Sequence, residues 1–370
     1  MQTEHILITD PTEQATDIRR AACIIRTGGL VVFPTETVYG LGGDATNADA
    51  SRRIYAAKGR PSDNPLIIHV ASPQDAAMYA DTDALYDRLA KAFMPGPLTV
   101  IMPRKPIIPL STTGGLETVA VRCPSHPVAH ALIAAAGVPI AAPSANLSGK
   151  PSPTCAAHVA QDMDGRVDMI LDGGDCEIGL ESTIVKLDRD GDGEFLTLLR
   201  PGGITYDALC CVCERVAIAP AVTELLSADV RPLSPGMKYK HYAPATPVVL
   251  LEGTPEHVLS YLQERQKTER CAILCYDEEI PHLLPGGLLP VGARDDLATH
   301  AHTLFARLRE SDSLHADVVY AHLPPRAGLG LALYNRMIRA VPARCLRSSH
   351  TRRSCCPAGS VSASGSSSVS

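Results

Sequence analysis

A chain of 370 residues with 45% hydrophobic and 20% charged residues has a globular make-up and enough length for two domains with separate cores. Its formal charge of -6, from 34 basic and 40 acidic residues, argues against a surface built to wrap duplex nucleic acid. The N-terminus has no basic segment leading into an apolar one, and no run of about 18 apolar residues occurs, so neither a signal peptide nor a membrane span is expected. A cytoplasmic location follows as the expectation.

With 4 Phe and no Trp, the core must rest on aliphatic residues, which suits an α/β protein with buried strands. The 12 Cys are scattered through apolar segments and read as reduced thiols. Cys210, Cys211 and Cys213 form the one tight cluster in the folded part, without the second paired cluster a zinc site needs. No role is assigned to them.

In chain order, Asp10 as N-cap, Pro11 at the first helical position and Glu13 predict a helix start, with Ile18, Ala21, Ala22 and Ile25 at helical spacing. Gly28 and Gly29 end it, and a short buried strand at 30–33 stops at Pro34. Further helices are expected at 47–57, 84–93, 127–136 and 154–163. Strands are expected at 66–70, 98–102, 118–122, 138–142, 169–171, 183–187 and 195–199. Periodicity weakens from 203 to 245, where Arg231 to Gly236 is a breaker cluster. A second α/β pattern follows, with strands at 248–251, 271–276 and 318–321 and helices at 255–265, 295–309 and 328–340. Ten of the final 23 residues are Ser, which predicts a disordered tail. The expected domains are therefore 1–203 and 246–342, joined by a linker at 204–245 and followed by the tail at 343–370.

No Walker-type loop or complete dinucleotide fingerprint is present, and Gly40-Leu41-Gly42-Gly43 lacks the Lys-Ser/Thr pair such a loop needs. Three other stretches are unusual. Pro34-Thr35-Glu36-Thr37-Val38-Tyr39-Gly40-Leu41 places polar groups at the end of a buried strand, where open α/β sheets hold ligands, though hydroxyls also cap ordinary strand ends. Lys58-Gly59-Arg60-Pro61-Ser62-Asp63-Asn64-Pro65 puts two cations and an amide on a Pro-bounded loop suited to phosphate oxygens, or simply two neighbouring surface cations. Pro143-Ser144-Ala145-Asn146-Leu147-Ser148-Gly149 ends a strand in hydroxyls and an amide. Ser144 lacks recognisable His and Asp partners, so hydrogen bonding suits it better than nucleophilic attack.

Together these stretches resemble the YrdC-like family: Phe33 to Leu41 is similar to its opening signature, and Lys58-x-Arg60 with Ser144-x-Asn146 to its hallmark. Met94-Pro95-Gly96-Pro97-Leu98-Thr99, Val121-Arg122-Cys123-Pro124, Gly179-Leu180-Glu181-Ser182-Thr183 and Leu199-Arg200-Pro201-Gly202 extend the match in order. The linker Ser234-Pro235-Gly236-Met237-Lys238-Tyr239-Lys240-His241-Tyr242-Ala243-Pro244 resembles that of the two-domain threonylcarbamoyl-AMP synthases.

The resemblance implies an α/β fold: an N-terminal YrdC-like twisted mixed sheet with helices around a large cavity, and a smaller C-terminal Rossmann-like domain. It implies a nucleotidyltransferase that joins L-threonine, bicarbonate or CO2 and ATP, with Mg2+ accompanying ATP and no protein side chain assigned to the metal. The product would pass to machinery that modifies an adenosine beside the tRNA anticodon, direct tRNA contact being left open. Thr37, His69, Arg122, Ala142 and Ser182 would take threonine. Lys58, Arg60, Ser144 and Asn146 would form the catalytic group. Asn64, Thr118, Ser152, Arg200 and Tyr242 would join Arg60 and Ser144 around ATP, and His241 with Tyr242 would form a lid. A carbamoyl-phosphate-using transferase and an RNA-binding module are the alternative readings.

Overall fold

The computed structural model describes residues 2–224, 232–235 and 241–341, and the backbone of 346–348. Two apolar periodicities organise them. Helical spacing gives α1 (Ala15–Arg26), α2 (Ala48–Lys58), α3 (Ala84–Phe93), α4 (Pro127–Ala136), α5 (Ala156–Met163) and the short α6 (Tyr206–Cys210) in the first part of the chain. Between them run β1 (Glu4–Leu7), β2 (Val31–Phe33), β3 (Gly40–Asp44), β4 (Ile67–His69), β5 (Leu98–Pro103) and β6 (Thr118–Arg122). The series continues with β7 (Ile140–Ala141), β8 (Met169–Asp172), β9 (Thr183–Asp190), β10 (Gly193–Arg200) and β11 (Val216–Ile218).

These eleven strands form one mixed sheet in the order β1-β8-β2-β3-β7-β4-β6-β5-β9-β10-β11. One face packs against α2, α3 and α5 through Ile54, Leu85, Leu89, Val159 and Met163. On the other face α1 and α4 cover only the part near β2 and β8, where Ile25, Val31, Phe33, Leu132 and Met169 meet. The face over β4 and β6 is left for the site. Each fully buried Leu or Ile contributes roughly 1.5–3 kcal/mol, so these clusters, rather than the polar groups below, hold the domain together.

The second part adds β12 (Val248–Glu252), α7 (Pro255–Thr268), β13 (Cys271–Cys275), β14 (Leu288–Pro290), α8 (Leu297–Ser313), β15 (Val318–His322), α9 (Gly330–Ala340) and β16 (Leu346–Ser348). Its sheet, in the order β14-β13-β15-β12-β16, is parallel throughout. Helix α7 covers one face and α8 with α9 the other, an open α/β sheet of the expected kind.

Several sequence expectations are corrected. Helix α1 begins at Ala15: the Asp10 carboxylate does accept from the Thr12 and Glu13 amides, but it closes a turn ahead of the helix. Gly40 to Gly43 form a buried strand. A Cβ at Gly42 would sit 2.8 Å from both Ile140 and Phe33, so glycine lets β3 press into the core. Strand β11 joins the large sheet beyond residue 203 because it pairs parallel to β10. Leu346–Ser348 pair with β12 and belong to the second sheet, where a tail was expected from 343. The remainder of that tail and the linker stretch 236–240 lie outside the described residues. No described helix is long and apolar enough to cross a membrane.

Candidate active site

Parallel pairing sets Ile67 opposite Ala120 and His69 opposite Arg122, and alternation turns all four to one face, where Ala120 packs with Leu199 and Ala221 while Ile67, His69 and Arg122 reach the cleft. A cleft of about 530 Å³ opens there, lined by Thr37, Arg60, His69, Arg122, Ala142, Ser144, Glu181, Ser182, Arg200, Pro235, His241 and Tyr242 among others.

One end carries a cation with spare donors. Glu36 Oε1 lies 2.8 Å from Arg122 Nη2, both side chains being 5% exposed. The contact is out of line for a hydrogen bond, so Arg122 Nε and Nη2 have no hydrogen-bond partner among the described residues. Buried donors left in this state are costly, and a ligand carboxylate would satisfy them. His69 stands beside it with Nδ1 3.2 Å from the Ile140 carbonyl. Burial, with the Arg122 charge adding to it, pushes its pKa down to about 3, so the ring is neutral at neutral pH. Thr35 donates its hydroxyl proton to the Val38 carbonyl at 2.6 Å, so Thr37 must donate in their 2.8 Å contact and keeps its lone pairs for the cleft. Ser182 Oγ shares a 2.7 Å bond with Thr99 and accepts from Arg200 Nη2 at 3.1 Å. Arg200 also donates through Nε to the Ser182 carbonyl at 3.0 Å; burial lowers its pKa to about 10, leaving it charged.

The other end is a closed knot. Gly59, in the left-handed conformation, ends α2 and leaves Lys58 in its last turn. The Lys58 ammonium donates to the Ser144 carbonyl, to the Asn146 carbonyl at 2.6 Å and to Asn146 Oδ1 at 3.4 Å. Its three donors are thus matched by three loop acceptors, and burial draws its pKa well below the usual lysine value. Ser144 Oγ donates to Asn146 Oδ1 at 2.5 Å. Arg60 Nη2 donates to the Asn64 and Pro65 carbonyls at 3.1 and 2.9 Å, bracing its own loop while lining the cleft.

The wall between the ends is held from the second domain. Arg336 of α9, fully buried, donates from Nε to Glu181 Oε2 at 2.7 Å and from Nη2 to the Glu181 carbonyl at 3.2 Å. Its Nη1 reaches the Pro201 carbonyl at 3.0 Å and Asn335 Oδ1 at 2.9 Å. Ser152 donates to the remaining Glu181 oxygen. Tyr242 closes the cleft with φ of 65°, stacked on Phe305 of α8 at 5.2 Å. Beside it His241 is half-buried with its Nε2 enclosed; loss of solvent around the ring pushes its pKa down to about 3, and Nε2 has no hydrogen-bond partner among the described residues.

Ten of the residues expected from the sequence therefore meet at the cleft: Thr37, Arg60, His69, Arg122, Ala142, Ser144, Ser182, Arg200, His241 and Tyr242. Lys58 and Asn146 stand behind it in the knot, and the Ser152 hydroxyl is spent on Glu181. Asn64 is buried behind Arg60, and Thr118 lies at the far end of β6 from Arg122; neither lines the cleft. Sequence reading missed Glu36, Glu181 and Arg336. A carboxylate inside each signature stretch was visible, but its pairing, with Arg122 for Glu36 and with Arg336 for Glu181, was not.

Residues 23–202 match the family model described as "Telomere recombination", that of Sua5, YciO and YrdC, and residues 204–341 match "Threonylcarbamoyl-AMP synthase, C-terminal domain". Threonylcarbamoyl-AMP synthase of Bacillus subtilis is 43% identical over 93% of this chain and 97% of its own. The chain belongs to the threonylcarbamoyl-AMP synthase family. Threonylcarbamoyl-AMP synthase of Pyrococcus abyssi is also 43% identical, over 87% of this chain and 93% of its own. The crystal structure of P. abyssi Sua5 complexed with L-threonine superposes with a TM-score of 0.83 at 40% identity, covering 92% of this chain and 97% of that one. Family membership makes the chain an enzyme of the adenylate-forming, nucleotidyl-transfer type.

Proposed function

We propose that this chain forms L-threonylcarbamoyladenylate and pyrophosphate from L-threonine, bicarbonate or CO2 and ATP, for modification of an adenosine next to the tRNA anticodon. The observation that carries the threonine half is the unspent guanidinium edge of Arg122, set among Thr37, His69, Ala142 and Ser182. That edge suits a carboxylate, and the small hydroxyl-lined surroundings suit a short β-hydroxy side chain. A threonine complex of a relative similar over nearly the whole chain supports the same reading.

In this mechanism the threonine amine and bicarbonate give a carbamate and water. A carbamate oxygen then attacks the α-phosphorus as the bond to pyrophosphate breaks in line, with no covalent enzyme intermediate. Arg60 and Arg200 offset phosphate charge, and Ser144, its proton given to Asn146, presents an oxygen acceptor to the nucleotide. Lys58, with its donors engaged, positions the Ser144–Asn146 loop. His241 and Tyr242 cover the labile adenylate and exclude water.

Among the described residues no three His, Cys, Asp or Glu side chains converge on one point, and Glu36 and Glu181 are each bound to an arginine. This donor set does not suit a metal held by the protein. Mg2+ is accordingly assigned to the nucleotide as part of the substrate, coordinated by its phosphates.

Purified protein incubated with labelled threonine, bicarbonate and MgATP should release pyrophosphate only when threonine is present and should accumulate the adenylate. Equal turnover with serine, or with no amino acid, would sink the threonine assignment. Arg60→Ala should abolish product while leaving the fold intact, as read by circular dichroism.

A further inference from the structure

In the second domain, β12 leaves toward α7 on one face of the sheet, while its neighbour β15 leaves toward α9 on the other. Where adjacent strand exits diverge, the carboxyl ends of an open parallel sheet leave a crevice, the usual ligand position in such folds. Here that crevice is a hollow open to solvent, with Glu252, Tyr276, Arg294, His322 and Arg326 on its wall. An apolar pouch opens beside it, sharing Tyr276 and His322 and walled by Leu274, Leu304, Leu333 and Met337.

The crevice has a stacked ring on its wall and spare cations at its mouth. Tyr276 stacks against both His322 at 4.4 Å and His300 at 5.2 Å, nearly parallel to each. Arg294 and Arg326 each rest on a ring, Tyr276 at 5.7 Å and Tyr334 at 4.5 Å, rather than on a carboxylate. Arg294 Nε is buried without a hydrogen-bond partner among the described residues. Of the acids nearby, Glu279 is paired to His322 at 2.9 Å and Glu278 accepts from the Arg294 amide. Glu252 stays exposed at the rim.

We propose that this crevice is a second ligand site, separate from the catalytic cleft, for a small phosphorylated ligand with a flat ring, of the nucleoside monophosphate or diphosphate kind. The phosphate meets the Arg294 and Arg326 forks, and the ring enters the pouch against Leu333 and Met337. Helix α9 then serves both sites, since Leu333 and Met337 wall the pouch while Arg336 holds Glu181 in the catalytic wall.

Equilibrium dialysis of the full chain with labelled AMP and labelled ADP tests this. The Arg60→Ala chain should still bind one equivalent of nucleotide. Adding Arg294→Ala and Arg326→Ala should weaken that equivalent at least about tenfold, and Arg294→Lys with Arg326→Lys should recover part of it. An unchanged melting temperature checks folding, and the lysine pair keeps the test open should the alanine pair misfold. Nucleotide binding that ignores residues 294 and 326, or none in the Arg60→Ala chain, overturns the proposal. Competition by inorganic phosphate or by adenosine as strong as that by AMP overturns it as well, by removing the ring or the anion from the requirement.

Discussion

Two buried carboxylate–arginine pairs in this chain are finished in opposite ways. Arg336 uses its donors on Glu181, on two backbone carbonyls and on Asn335, and is completely enclosed. Arg122 touches Glu36 at the same range but out of line, with Nε and Nη2 unspent and facing a cleft. A saturated pair joins parts of a protein; an unsaturated one holds donors ready for a substrate. The difference lies in whether the protein itself supplies enough acceptors.

The sharpest way to break this contrast is to remove the joint. Arg336→Met leaves Glu181 buried without its partner and should cost about 3–5 kcal/mol in urea unfolding. Adding Glu181→Gln should recover part of that. A loss below about 1 kcal/mol would mean the pair is ornamental.

At the site the equivalent change should strike activity first. Arg122→Lys keeps the charge but loses the fork, and is expected to lower kcat/KM for threonine roughly 10- to 100-fold, mainly through KM. An unchanged KM would move the carboxylate elsewhere in the cleft.

Acid should separate the regions further. His69 and His241 are held neutral by burial, with folded pKa values of about 3 against about 6.5 unfolded. Because the folded values are depressed, their contribution is complete above about pH 6.5 and is lost as pH falls from there toward 3. Each adds a slope of about 1.4 kcal/mol per pH unit in that window. Urea midpoints between pH 7 and 4 should show it, and His69→Gln should remove one share; parallel curves for the two proteins would refute the assignment.

The smallest effect belongs to the Tyr242–Phe305 ring pair. Phe305→Leu removes the ring under Tyr242 and should cost about 1 kcal/mol, read as a lowered melting temperature with faster loss of adenylate to water.

Local signals made much of this legible in the sequence. Helices α3 and α4 occupy 84–93 and 127–136, as the apolar spacing and Pro127 predict. The alternation of β6 placed Arg122 at a strand end. Strand β3 was hidden because glycines usually mark loops, and only a crowded neighbour such as Phe33 shows why a strand needs them. Lys58 looked like a phosphate ligand because its acceptors lie 86 and 88 residues away. Arg336 was invisible for the same reason: it serves a glutamate 155 residues earlier, and no periodicity in α9 announces a contact across domains. Thr118 and Arg122 share a strand face, but the sequence could not show where along it the cleft ends.

The embedding of α9 has a consequence for how this enzyme could be divided. Besides Arg336, Asn335 donates to the Val222 carbonyl at 2.7 Å, and Gly179 admits the backbone of α8 so closely that a Cβ would lie 2.6 Å from the Ala301 oxygen. The two halves are thus joined by buried polar contacts and close backbone packing, and the covalent tether adds local concentration. Expressed as separate polypeptides, neither half should be a finished catalyst, yet mixing them should rebuild one.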